Sequence, residues 1–352
     1  FAIRRQRQMC IRDSYRGKVA KLIIDEMKSG GGIISQNDLD NYRSVWRDPI
    51  IGYFKDHKII SMGPPSSGGI ALVQLLHGAE QLETKKYNHN SLEYINTITE
   101  IESRVYADRA THLGDPDYYD VPQESLLNKN YLLNRFNEIK SNIKTPSSEV
   151  KEGNFINQES NETTHFSIVD KFGNAASVTT TINGAYGSKV VVEGAGFLLN
   201  NEMDDFSVKP GYPNMFGLVG GEANAIEPDK RMLSSMTPTI IEKDDNLFMV
   251  LGTPGGSTII TSVFQTVLNV IDFGMGMQEA VDSKKFHHQW LPDALIVENE
   301  TLSEELKNDL TKIGHNIVKR SSLGRMDCIL VNQDGSLDGG ADKRGDNTFL
   351  GY

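Results

Sequence analysis

Two cysteines in 352 residues, Cys10 and Cys328, supply neither a disulfide framework nor a Cys-x-x-Cys metal signature. That scarcity leaves the compartment undetermined. Apolar residues never run for 18 or more positions, so no segment has the length of a membrane-spanning helix. Positive charge is also in short supply: 36 Lys and Arg stand against 47 Asp and Glu, for a net charge of −11. Such a chain has no basic field to gather phosphates, which sets aside a nucleic-acid partner. A P-loop is missing too, since GAYGSK at 184–189 has the wrong spacing. What remains is a chain with 38% hydrophobic residues, enough for one large or two ordinary domains.

The first residues, FAIRRQRQMCIRD at 1–13, are basic and lack the apolar core of a secretory signal. They are expected to be a leader unrelated to the fold. From Ser14 the pattern becomes globular. Tyr15, Val19, Leu22, Ile23 and Met27 predict one amphipathic helix ending at the glycines 30–32, and Ser35 caps a short helix after it. YFKDHKIISM at 53–62 reads as one strand running into the turn-rich loop GPPSSGG at 63–69. Helices follow over 70–82 and through Leu92, Ile95, Ile98, Ile101 and Val105. Residues 141–162 are polar and aperiodic, which predicts an exposed, mobile linker. The period then changes to two, and FSIVD, KFGN and AASVTTTIN predict a β-hairpin. After a loop region at 200–230 come the strands TPTIIEKD and LFMVLG, then a helix from Ser257. Helices first, then strands, then a mixture indicate an α+β architecture.

Within this frame, ESNETTHFSIVD at 159–170 places Thr163 and Thr164 where the polar run meets a strand. A threonine hydroxyl is a poor nucleophile until a base takes its proton, and an α-amine with a reference pKa of about 7.7–8.0 is such a base. Only cleavage of the Glu162–Thr163 bond would place that amine on Thr163. Two other readings stay open here: β-propensity alone, and the glycosylation sequon Asn161-Glu162-Thr163. TPGGS at 253–257 puts Gly255 and Gly256 between a buried strand and a helix, suited to holding an oxyanion or simply to turning tightly. LLNNEMDDF at 198–206, predicted to follow an apolar strand, brings Glu202, Asp204 and Asp205 together without EF-hand spacing. It reads as an ammonium site or a solvated acidic turn. RMLSSM supplies the hydroxyls of Ser234 and Ser235 as carboxylate donors. His287 and His288 are adjacent, diverge in direction and lack a third ligand, so a structural role is expected for both.

Taken in order, ETTHFSIVD, SVTTTIN, LLNNEMDDFS, GLVGGEANAI, RMLSSMTPTI, GTPGGS, FHHQWLPD and the closing GY resemble the γ-glutamyltranspeptidase family from about Tyr15 to Tyr352. PPSSGG and YADRATHLGDPDYYDVP resemble the end of that family's large subunit. The resemblance implies a four-layer αββα N-terminal-nucleophile hydrolase sandwich, incomplete at its N-terminus. It implies self-cleavage into 14–162, the end of a large subunit, and 163–352, a small catalytic subunit, the two forming a heterodimer. Thr163 would be the nucleophile, oriented by Thr181, with Gly255 and Gly256 as the oxyanion hole. Asn183, Glu202 and Asp205 would take the α-ammonium of a γ-glutamyl group, and Ser234 and Ser235 its α-carboxylate. Segment 206–222 would be a lid, with Phe216 where many relatives carry tyrosine. Substrates would be glutathione and other γ-glutamyl compounds, with water, an amino acid or a dipeptide as acceptor, and with no metal or organic cofactor. The family implies a periplasmic or extracellular location. It also implies an arginine on the substrate carboxylate, in a region ahead of this chain, whose role no residue here inherits. A related acylase (for β-lactam side chains or poly-γ-glutamate) and a non-catalytic, uncleaved homologue are the alternatives.

Overall fold

The computed structural model describes residues 2–151, 163–212, 214–215 and 217–351. Asn161 and Glu162 of the expected cleavage segment, Phe216 of the expected lid, and Tyr352 lie outside the described residues. The chain opens with α1 (Ala2–Arg16) and α2 (Lys18–Gly30). The single helix expected from Tyr15 is thus two, because Gly17 leaves helical geometry. There the Asp13 carboxylate accepts the Lys18 N–H at 2.9 Å, and it fills the space a Cβ on Gly17 would need. Gly31 ends α2 in the left-handed region, as the glycine run foretold. Ser35 caps α3 (Gln36–Asn41) in a reciprocal box with Asp38.

YFKDHKIISM is not one strand but most of a hairpin, β1 (Ile50–Phe54) and β2 (His57–Ser61). Lys55 makes the turn at φ 54°, a conformation usually left to Gly, Asn or Asp. Helices α4 (Gly68–Gln81) and α5 (Leu92–His112) follow, then short α6 (Gln123–Leu126) and α7 (Lys129–Phe136). Helix α5 is buried on every side from Tyr94 to Ala110. The supposed linker begins as packed structure. Lys144 pairs with Asp293 at 2.6 Å, Val150 is buried, and the Ser147 carbonyl accepts the Trp290 indole N–H at 3.0 Å. A polar segment held by distant partners shows no hydrophobic period, so its composition misleads.

The second half supplies β3 (Thr164–Val169), β4 (Ala175–Thr180), β5 (Thr239–Lys243), β6 (Asn246–Gly252), α8 (Thr258–Ile271) and α9 (Met277–Asp282). It closes with β7 (Phe286–His287), β8 (Leu295–Glu298), α10 (Glu304–Lys312), β9 (Ile317–Arg320), β10 (Asp327–Val331) and β11 (Leu337–Ala341). No strand precedes LLNNEMDDF. Val191 and Leu198 make one isolated bridge, and Gly194 and Gly196, both at φ 75°, bend the chain between them.

The main sheet is antiparallel, in the order β1-β2-β5-β6-β10-β11. Helices α4, α8 and α9 pack on one face against Phe54, Ile59, Ile241, Met249 and Leu251, all buried. Each such side chain contributes about 1.5–3 kcal/mol by burial. The β3–β4 hairpin lies across β5, β6 and β10 as a second sheet. Side chains hold it there: Ser177 Oγ donates to the Leu251 carbonyl at 2.9 Å and accepts the Thr239 N–H at 3.1 Å. The imidazole of His165 lies against Gly252, where a Cβ would come within 2.2 Å of the ring. On the far side of the hairpin, Phe166, Ile168 and Phe172 are exposed. The architecture is an α+β sandwich, with helix, sheet and sheet stacked as in the expected αββα arrangement. Among the described residues no helix is long and apolar enough to cross a membrane.

Candidate active site

Thr163 immediately precedes β3, and the register pairs Thr164 with Thr180. The next step of the ladder therefore brings Thr163 beside Thr181, and the Thr163 hydroxyl donates to Thr181 Oγ1 at 3.5 Å. Thr181 is fixed in turn, because the Asn183 N–H donates to the same oxygen at 2.8 Å. Asn183 is buried at φ 70°, and its amide donates to the Asn201 carbonyl at 3.3 Å. This turn ties the end of β4 to the acidic segment. Both threonines open on a cleft lined also by Arg109, Asn183, Asp205, Ser234, Ser235 and Gly256.

The acidic residues sit in a short 3₁₀ turn, Glu202–Asp205. Burial pushes the Asp205 carboxyl up to about 8, and the neighbouring Glu202 charge adds to the rise. Burial likewise raises Glu202 to about 7. Glu202 Oε2 is buried with no hydrogen-bond partner among the described residues. Two carboxyls held near neutrality, one with an unsatisfied oxygen, form a site that gains from a cation. Asp205 lines the cleft, whereas Glu202 stands behind it.

Across the cleft, the Ser234 hydroxyl accepts the Met236 N–H at 3.1 Å and the Ser235 hydroxyl accepts an Arg109 N–H at 3.0 Å. With those lone pairs occupied, each hydroxyl retains its own proton to donate. The floor is the turn into α8. Gly255 and Gly256 have φ values of 143° and 57°, and a Cβ on Gly255 would lie 2.6 Å from Thr258 Oγ1. The turn is braced from below, where Ser257 Oγ donates to Gln289 at 2.7 Å and the Tyr106 hydroxyl donates to the Ser257 carbonyl. Backbone N–H groups at such a helix start favour a developing negative charge. Gly256 lines the cleft and Gly255 lies one residue behind it.

The histidine pair is structural, as expected. His287 bonds Thr261 at 2.8 Å and is pushed down to about 3 by burial; His288 bonds Asp293 at 3.1 Å. Among the described residues no three His, Cys, Asp or Glu side chains converge as a metal site. Among the described residues no histidine or lysine lines the cleft. His165, nearest in sequence to Thr163, is held to Thr179 and Ser167 and pushed down to about 4 by burial.

The family model for γ-glutamyltranspeptidase matches residues 4–352. This chain belongs to the γ-glutamyltranspeptidase family. The glutathione hydrolase proenzyme of Escherichia coli is 46% identical over 96% of the chain, and that of Pseudomonas aeruginosa 44% over 94%. The chain spans only 58% and 59% of those relatives' lengths. Among solved structures, an acivicin-inhibited γ-glutamyltranspeptidase chain is 53% identical with a TM-score of 0.51, covering 52% of this chain and 100% of its own. The cephalosporin acylase of Bacillus halodurans, 25% identical, aligns over 97% of this chain and 60% of its own with a TM-score of 0.80. Membership in the family does not by itself assign roles to residues. Sequence reasoning missed a charged member of the cleft, Arg109. Its signal was present, since Ile98, Ile101, Val105 and Arg109 continue one helical stripe and a charge on a buried stripe demands a purpose.

Proposed function

We propose that the protein carrying this chain cleaves γ-glutamyl amides such as glutathione through an ester on Thr163. Self-cleavage of the Glu162–Thr163 bond leaves 14–162 and 163–352 as the partners of a heterodimer and frees the Thr163 amine. That amine takes the hydroxyl proton as Thr163 Oγ1 attacks the γ-carbonyl, and returns it to the departing amine as the C–N bond breaks. Thr181 orients the nucleophile, and the N–H groups at Gly255 and Gly256 stabilise the tetrahedral oxyanion. Asn183, Glu202 and Asp205 hold the substrate's ammonium, and Ser234 and Ser235 its carboxylate. Water, an amino acid or a dipeptide then attacks the ester, releasing Thr163 and transferring the γ-glutamyl group. Residues 1–13 stand outside this machinery, and the protein acts in the periplasm or outside the cell.

One observation carries this reading: Thr163 and Thr181 pair at a cleft lined also by Asp205 and by the hydroxyls of Ser234 and Ser235. In this reading the residue's own amine is the base. Replacing Thr163 with Ala in the full-length protein is expected to abolish both processing and turnover, observed as one band on denaturing gels and no release from a γ-glutamyl anilide. Retained hydrolysis would refute the role.

The acylase alternative draws on the broad structural likeness to cephalosporin acylase and on acylase proenzymes of Pseudomonas that are 33% identical over 95% of the chain. Asp205 and Glu202 favour γ-glutamyl over glutaryl groups, because a glutaryl chain carries no ammonium. Faster cleavage of the glutaryl anilide would reverse that preference.

A further inference from the structure

Arg109 is a charged side chain in the all-buried stretch of α5, only 4% exposed, and it reaches into the cleft that holds Thr163. Its Nε donates to Ser67 Oγ at 2.9 Å and its Nη2 to Ser235 Oγ at 3.0 Å. Ser67 continues the chain of contacts, with its hydroxyl donating to the Ser234 carbonyl at 2.7 Å and its N–H to the same oxygen at 2.8 Å. The Ser234 N–H returns the contact by donating to the Pro65 carbonyl at 3.0 Å. One planar guanidinium therefore joins the loop at 63–67 to the loop at 231–236. A lysine, with a point charge and no fork, has no geometry to span both hydroxyls.

We infer that Arg109 is a positioning residue for the carboxylate end of the acyl donor, acting through Ser235. By donating to Ser235 Oγ it directs that hydroxyl's proton into the cleft, so that a carboxylate meets a donor and never a lone pair. Through Ser67 it also locks the Ser234 main chain, setting the spacing of the two hydroxyls. Its positive charge, beside the Ser235 hydroxyl at the cleft, favours an anion over a neutral amide. The inference rests on the proposed function and specifies how the site tells an α-carboxylate from its neutral analogues.

The test compares a γ-glutamyl anilide with the same compound bearing an α-carboxamide, using the full-length protein. Arg109→Met is expected to process normally, to raise KM for the carboxylate substrate about 10- to 100-fold, and to leave kcat within about 3-fold. The carboxamide's KM should hardly change, because the wild-type site already lacks its proper ligand. Arg109→Lys should restore only part of the preference. Ser235→Ala combined with Arg109→Met should cost little more than either change alone, as expected of one pathway. Equal losses for the two substrates, or full rescue by lysine, would overturn the positioning role while leaving Thr163 as nucleophile untouched. If Arg109→Met does not process, Ser67→Ala removes one anchor of the fork. A smaller KM rise confined to the carboxylate substrate supports the inference, and none overturns it.

Discussion

At the scale of single residues, the half-buried carboxyls of Glu202 and Asp205 determine how the site responds to pH. Asp205 and Glu202 bind protons more tightly in the folded protein than the ordinary values of 3.8 and 4.5 imply. Their contribution to stability is therefore complete below those unfolded values. It is lost as pH rises through about 7 for Glu202 and about 8 for Asp205. A ligand ammonium reverses this penalty, because it prefers the ionised pair. Glutamate is expected to raise the melting temperature more at pH 8.5 than at pH 6, with affinity improving about tenfold per pH unit between them until the pair is ionised. Asp205→Asn should flatten that dependence. A melting shift that ignores pH would contradict the ammonium role. The residue types of this site were legible in the sequence, since Thr163, Thr181, Asn183, Asp205, Ser234, Ser235 and Gly256 all line one cleft. Arg109 was legible only as a charge on the buried stripe of α5, and its partners Ser67 and Ser235 were not, because they lie 42 and 126 residues away and no local pattern joins them.

At the scale of elements, the turn between β6 and α8 exemplifies sequence and geometry in agreement. A strand ending in TPGGS needs two left-handed residues to enter a helix at once, and only glycine takes φ 143° without strain. Gly255→Ala would also drive its Cβ toward Thr258 Oγ1, the hydroxyl that donates to the Gly255 carbonyl in the first helical turn. A loss of about 1–3 kcal/mol in stability is expected, together with a fall in kcat of about 10²–10³ if the turn's donors are displaced. Thermal melting and turnover measured together separate the two effects, and a stable, fully active variant would remove the turn from the oxyanion role. Elsewhere, α4, α5, α8, β5 and β6 were readable because each carries an unbroken period. The β1–β2 hairpin was hidden because Lys55 takes the φ 54° position usually left to Gly, Asn or Asp, and the split at Gly17 because Asp13 substitutes for a cap.

At the scale of the whole molecule, the two halves of the chain are built into each other. Strands β1 and β2 precede Thr163, yet β2 pairs with β5 in a single sheet, and Trp290 is held by the Ser147 carbonyl. Cutting one peptide bond between such halves does not separate them, so a processed protein is expected to remain one particle through gel filtration while giving two bands under denaturation. Dissociation on processing would contradict that. The α+β layering was legible from the order of periods along the chain, whereas the packing of 141–151 was not, since its anchors are distant polar groups. Intact-mass and N-terminal analysis of the full-length protein, before and after an electrophilic γ-glutamyl analogue, tests the central claim most directly. The result predicted is a fragment that begins at Thr163 and gains the analogue's mass on that same residue. A single uncut chain, or an adduct on any other side chain, would contradict it.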